Sequence, residues 1–158
     1  MLLSQLDILK GEIMKKVILC PKEVGNTYEV CSYVSSNSDV KLKVVDKTEM
    51  YDLSCYDVII LSSGVYANHV HKNILKWINS IEKNTINLNI KVYIFLTWFG
   101  RGHSDKIAFN EVKHLLREKG IKLEDNYTKC FGKGMGFIRK SHPNEKDYKN
   151  VLLWANEL

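Results

Sequence analysis

The triplet Gly25-Asn26-Thr27 follows the apolar run Val17-Ile18-Leu19-Cys20 and opens a segment of helical period. A strand-to-helix turn presents free amides and the positive end of a helix dipole, a natural seat for an anion such as a phosphate. Just ahead of the glycine stand Lys22, Glu23 and Val24, which bring one cation, one carboxylate and no hydroxyl. Two further stretches set glycine beside aromatic residues. Ser63-Gly64-Val65-Tyr66-Ala67 ends a second apolar run, and Thr97-Trp98-Phe99-Gly100 ends a third. Glycine lets a backbone approach a ligand closely, and aromatic rings can sandwich a flat group. An anion seat with two aromatic-bearing loops is the equipment for holding a phosphate that carries a planar ring.

Each of these features also has a plainer reading. The Gly-Asn-Thr turn alone is an ordinary helix start, and Tyr66 and Trp98 taken singly are rim aromatics. His69 and His71 stand two apart, a spacing that separates them on a helix and argues against a metal pair. His103 is a solvated loop residue or, placed beside a ligand, a proton donor. Cys20 reads as a buried thiol, and Trp77 and Trp154 as core residues on helical faces. No catalytic acid, base or nucleophile emerges, and no metal-ligand set.

The elements that must position these residues follow from periodicity. Lys15 to Cys20, Tyr56 to Ser63 and Ile90 to Trp98 are apolar, β-rich runs, whereas Val40 to Asp46 alternates as a half-exposed strand does. A final strand is expected to begin at Ile121. Between the strands lie helical patterns: about Asn26 to Ser35, with Val30, Cys31 and Val34 on one face, and the stretch HVHKNILKWINSIE, with Val70, Ile74, Trp77, Ile78 and Ile81 in phase. A third, from Ser104 to Lys119, has Gly120 as its stop. After Pro143, Asn144 with Asp147 three residues on predicts a capped last helix whose buried face is Tyr148, Val151, Leu152, Ala155 and Leu158. Five strands alternating with four helices imply α/β architecture: a parallel sheet covered on both faces, with right-handed crossovers. In such a sheet, ligands bind beyond the carboxyl ends of the strands where the winding reverses. The three loops above occupy those ends.

The chain of 158 residues fits one domain. We expect that domain over residues 14–158, with residues 1–13 as an extension, either an extra helix or an over-long reading frame ahead of Met14. No apolar run reaches the roughly 20 residues of a membrane helix, and the N-terminus is a poor secretion signal. Four scattered cysteines without a CxxC suit reduced thiols in the cytoplasm. The net charge of +5 favours acidic partners or anionic ligands over nucleic acid, because the lysines are not gathered on one helix. Between Asn126 and Asn144 no acidic residue occurs, while Lys129, Lys133, Arg139 and Lys140 do. That stretch is either a solvated connection or a region steering an anionic substrate, NADPH or an acidic partner.

At this point the chain resembles the flavodoxin family. The resemblance runs from about Met14 to the C-terminus. It rests on Gly25-Asn26-Thr27, on YDVIILSSGVYANHVHKNILKWI, on KVYIFLTWFG and on KSHPNEKDYKN. The last phrase is similar to the tail of small flavodoxin-domain proteins, and the second to flavodoxin-like protoporphyrinogen oxidases and quinone-type reductases. The resemblance implies a doubly wound five-stranded parallel sheet of order 2-1-3-4-5, with FMN as cofactor. It also implies electron transfer between a reductase and a redox partner. The family's phosphate loop usually reads Ser/Thr-x-Thr-Gly-Asn-Thr, so Lys22 and Val24 replace hydroxyl positions and Glu23 is the variable one. Two hydroxyl bonds to phosphate are lost, each worth about 1.5–3 kcal/mol if charge-assisted, and Lys22 returns part of that as a point charge. By position, Lys22, Glu23, Val24, Gly25, Asn26 and Thr27 surround the phosphate. Ser63, Gly64, Val65, Tyr66 and Ala67 form one ring loop, and Thr97, Trp98, Phe99 and Gly100 the other. Shuttle flavodoxins are usually acidic and this chain is basic, so Arg101, Lys129 or Lys133 near the ring would raise the flavin potential. Two alternatives stay open: an FMN-dependent oxidoreductase acting directly on a quinone- or tetrapyrrole-type substrate, and an FMN-free interaction module.

Overall fold

The computed structural model describes residues 13–45, 52–82, 85–87, 89–134 and 140–158. In chain order the elements are β1 (Lys16–Cys20), α1 (Asn26–Ser36), β2 (Lys41–Val44), β3 (Val58–Tyr66), β4 (His69–Val70) and α2 (Lys72–Ser80). They continue with β5 (Lys91–Trp98), α3 (Ser104–Glu118), β6 (Thr128–Phe131) and α4 (Glu145–Glu157). The main sheet runs β2-β1-β3-β5-β6 with every neighbour parallel. Counting the parallel strands alone, this is the expected order 2-1-3-4-5.

Side-chain alternation divides the core into two layers. Val17, Leu19, Ile59, Leu61, Ile94 and Leu96 face one side, with Ile74 and Ile78 of α2 and Ala108, Val112 and Leu116 of α3. Ile18, Cys20, Ile60 and Phe95 face the other, with Val30, Cys31 and Val34 of α1 and Val151 and Ala155 of α4. Burying an aliphatic side chain contributes about 1.5–3 kcal/mol, and a strand buried on both faces is apolar wherever a side chain lacks an internal hydrogen-bond partner. This is why β1, β3 and β5 read as continuous hydrophobic runs. Trp77 and Trp154 are half-buried and pack against these layers. Asn144 caps α4 through a reciprocal box: its side chain accepts from the Asp147 amide, and the Asp147 carboxylate accepts from the Asn144 amide.

Two expectations are corrected. The last strand does not begin at Ile121. Leu123 makes a single bridge to Val92, the chain bends at Asp125 to Tyr127, and β6 forms from Thr128 against Phe95 to Trp98. Leu123 is buried and Ile121 half-buried by packing at the foot of the sheet, without forming a strand. The second helix does not include Val70 or Ile81. β3 continues through Gly64 to Tyr66, turns at Ala67 (φ 46°) and Asn68 (φ 73°), and returns as β4, with Val65 opposite Val70. Two consecutive left-handed residues make the tight hairpin that matches strand twist. The helix therefore starts at Lys72, with His71 as its cap, and Ile81 is extended.

Candidate functional site

The carboxyl ends of β1, β3, β5 and β6 meet around one crevice of about 150 Å³. Its first wall is the β1–α1 turn, with Lys22, Val24, Gly25, Asn26 and Thr27. Gly25 has φ 93°, a conformation other residues rarely adopt, and carries the chain into α1. No side chain caps α1, so its first amides stay available to an anion. Beneath the turn, the Cys20 thiol donates to the Lys22 carbonyl (3.3 Å). The neighbouring Cys31 thiol holds the Cys20 pKa below its ordinary value, while burial pushes Cys31 well above it. Both thiols are fully buried, so they brace the turn and do not face a ligand.

Gly64, Val65 and Tyr66 of β3 form the second wall, and Thr97, Trp98 and Phe99 the third. The Tyr66 ring rests on Gly64 so closely that a Cβ there would lie 2.9 Å from its Cζ. Thr27 and Thr97 join the first and third walls through their hydroxyls, 2.8 Å apart. Phe131 stacks against Trp98 at 6.3 Å between ring centroids. The Lys129 ammonium lies 4.2 Å from the Trp98 centroid, within the range of a cation–π contact.

Four expected residues do not line the crevice. Glu23 is exposed beside it. Ser63 is buried, and its hydroxyl is engaged internally, donating to the Gly64 carbonyl (2.6 Å) and accepting from the His71 amide (2.8 Å). Ala67 sits in the hairpin turn, and Gly100 (φ 75°) turns the chain away after Phe99.

Gly132 and Lys133 after β6 form a fourth wall; Lys133 is one of the cations named above as a candidate beside the ring, whereas Gly132 is not among the expected site residues. Asn26 Nδ2 donates to the Lys133 carbonyl (3.1 Å), and a Cβ on Gly132 would lie 2.5 Å from that nitrogen. The signal was the glycine ending the run Cys130-Phe131-Gly132, a strand end like the others. Placing the strand at Ile121 hid it.

The basic stretch divides by role. Lys133 is exposed on the crevice wall with Lys22. Lys129 is tied by its ammonium to Asp105 Oδ2 (2.6 Å), which also accepts from the Tyr127 hydroxyl (2.9 Å). Burial pushes the Asp105 pKa up, but the bonds from Lys129 and Tyr127 outweigh it and hold the carboxyl below its usual value. Burial and then Asp105 push Tyr127 up to about 12. Lys140 is exposed ahead of α4, and Arg139 lies outside the described residues. Exposed Arg101 and His103 follow Phe99 and are not on the crevice wall. His69 bonds to Glu111 (2.9 Å), and His71 Nδ1 accepts from the Asn73 amide (3.0 Å). Among the described residues no group of three or more His, Cys, Asp or Glu is placed to hold a metal ion. Among the same residues no helix is long and apolar enough to cross a membrane.

Comparison with solved structures places this architecture. A flavodoxin from the domain Archaea superposes with a TM-score of 0.64 at 16% identity, covering 91% of this chain and 95% of that one. The fold is that of the flavodoxins. Oxidised flavodoxin 1 from Bacillus cereus matches with a TM-score of 0.63 at 18% identity, over 91% of this chain and 99% of its own. A flavoprotein from Lactobacillus acidophilus, solved in complex with FMN, matches at 0.57 and 16% identity, over 74% and 93%. In sequence, the chain is 27% identical over 140 residues to an uncharacterized protein of Methanocaldococcus jannaschii, covering 84% of this chain and 89% of that one. No family model matches the chain. In this flavodoxin-like frame the site combines an uncapped helix start, two lysines and three aromatics. That donor set suits a phosphate monoester bearing a flat ring.

Proposed function

We propose that the protein binds FMN in this crevice and passes electrons between a reductase and a redox partner. The observation that carries the reading is the convergence of the α1 amides, Lys22, Lys133, Tyr66 and Trp98 on one pocket. The first amides of α1 and Lys22 hold the phosphate, and the hydroxyl pair of Thr27 and Thr97 keeps the turn against β5. Gly64 lets the backbone reach the polar edge of the ring, and Tyr66 and Trp98 flank it, with Phe99 as a substitute. Tyr66 is half exposed, so rotation of one side chain off Gly64 widens the slot. Bound flavin supplies the redox chemistry, and no protein acid, base or nucleophile is required. Lys22 and Lys133 at the pocket favour an acidic protein partner or an anionic reductant such as NADPH. Buried Cys20, Cys31 and Cys130, all free thiols, fit a cytoplasmic setting.

A second reading has one observation in its favour. Val24, Tyr66 and Phe99 are exposed apolar side chains on the same crevice, which suits direct FMN-dependent turnover of a quinone- or tetrapyrrole-type substrate. The deciding experiment is the visible spectrum of the purified protein after FMN is added and the excess removed. Retained, perturbed flavin bands support both redox readings, and turnover of a quinone without a second protein then selects the enzyme. Restoring one phosphate-facing hydroxyl in Val24→Thr should tighten FMN by roughly tenfold, about 1.4 kcal/mol. A protein that stays colourless in excess FMN overturns both redox readings and leaves the FMN-free interaction module as the alternative.

A further inference from the structure

Asp105 is a carboxylate on the first turn of α3 with a side chain only 2% exposed. Burying a charge costs several kcal/mol unless it is paired and hydrogen-bonded. Here one oxygen, Oδ2, takes both the Lys129 ammonium at 2.6 Å and the Tyr127 hydroxyl at 2.9 Å. Tyr127 is fixed in turn, its ring stacked on Phe109 of α3 at 4.6 Å. A plain tie between α3 and the β6 edge would need no more than this. The Lys129 ammonium nevertheless makes a second contact, 4.2 Å from the centroid of Trp98. A lysine has a flexible stem and a point charge, and only its bond to a buried, immobile carboxylate makes it a fixed support for a ring. Strand register sets the arrangement: Leu96 pairs with Lys129, and Trp98 with Phe131, so Lys129 and Trp98 lie on the same side of neighbouring strands.

We propose that Asp105, Tyr127 and Lys129 act as a positioning triad that holds the Trp98 ring at a fixed angle for the planar ligand of the crevice. The consequence for that ligand rests on the FMN reading above; the hold on Trp98 does not. Because Lys129 is neutralised by Asp105, the triad orients the indole without adding net charge near the ring. The positive charge of the pocket stays with Lys22 and Lys133.

The test uses full-length protein labelled with 5-fluorotryptophan, whose three fluorine resonances are assigned with Trp98→Phe. In the FMN-free protein, Lys129→Met should shift and broaden the Trp98 resonance and leave those of Trp77 and Trp154 in place. Lys129→Arg, which keeps a cation over the ring, should restore it. With FMN added, Lys129→Met should weaken binding about three- to tenfold while Lys129→Arg stays near wild type. Asp105→Asn leaves the lysine charge uncompensated and should move the midpoint potential of bound flavin upward. A Trp98 resonance and an FMN affinity that are both unchanged in Lys129→Met overturn the proposal, even if the thermal midpoint falls, because that result describes a structural tie alone. A wild-type protein that takes up no FMN while Trp98 still responds to Lys129→Met overturns the flavin reading and upholds the triad.

Discussion

Asn26 holds the first and fourth walls of the crevice together, and it does so only because residue 132 is glycine. Its side-chain amide donates to the Lys133 carbonyl and occupies the space that any Cβ at position 132 would fill. Gly132→Ala should therefore displace Asn26, lower the unfolding free energy by about 1–3 kcal/mol as overpacking does, and weaken FMN. Urea denaturation and an FMN titration check both effects. Adding Asn26→Ala should recover part of the lost stability, since the clash is pairwise. If Gly132→Ala alone leaves both unchanged, the close approach has no energetic weight. At this scale the sequence was informative where chemistry repeats a pattern. Gly25 and the aromatics at the ends of β3 and β5 could be singled out from their neighbours. The hydroxyl of Ser63 could not be assigned, because its partners are its own Gly64 carbonyl and the His71 amide of a later turn.

Among the elements, α2 depends on an unusual cap. His71 precedes Lys72, and its Nδ1 accepts from the Asn73 amide, a bond available only to the neutral ring. Burial, then Lys22 and Lys72, lowers its pKa from the usual value. The folded ring thus resists a proton that the unfolded chain accepts near pH 6.5. This contribution to stability is complete above about pH 6.5 and is lost as pH falls from there toward the lower folded pKa. Urea unfolding of the wild type between pH 8 and pH 5 should show that loss. His71→Asn keeps a capping acceptor that does not titrate, so its decline over the range should be smaller. Loss of a cap costs about 0.5–2 kcal/mol, which bounds the difference; parallel pH profiles would mean that His71 does not cap α2 in solution. Helical periodicity located the face that packs, with Ile74 and Ile78 buried. It could not locate the start, because Val70 is in phase with the helix yet belongs to the hairpin. The left-handed turn at Ala67 and Asn68 uses residues that carry a weaker turn signal than glycine.

Across the whole molecule, charge and fold combine. The net +5 is not confined to one helix, yet the strand carboxyl ends bring Lys22 and Lys133 onto one pocket, with exposed Lys72 at the start of α2 and exposed Arg101 and Lys106 beyond β5. An anionic oxidant should therefore be drawn to the pocket. At low salt, oxidation of the reduced FMN-loaded protein by hexacyanoferrate(III) should slow as salt is added, most steeply up to about 0.1 M, where the screening length is about 10 Å. Lys22→Gln with Lys133→Gln should flatten that dependence. A rate that rises with salt in the wild type would show a pocket of the opposite sign.

The sequence by itself determined the parallel sheet, its order by resemblance, and the loops that would meet at its carboxyl edge. Those properties follow from local periodicity and from chain-wide alternation of strand and helix, both of which are written in neighbouring residues. Only the tertiary structure decided that Gly132 and Lys133 complete the crevice, that Ser63 is spent inside, and that Lys129 supports Trp98 and is not a free cation. The first and the third turn on groups far apart in the chain that share a few ångströms of space, and the second on the hairpin that returns His71 to Ser63. Asp105 and Lys129 are separated by 24 positions, and Asn26 and Lys133 by 107. Pairing at that range is set by register and packing, which no local pattern of residues encodes.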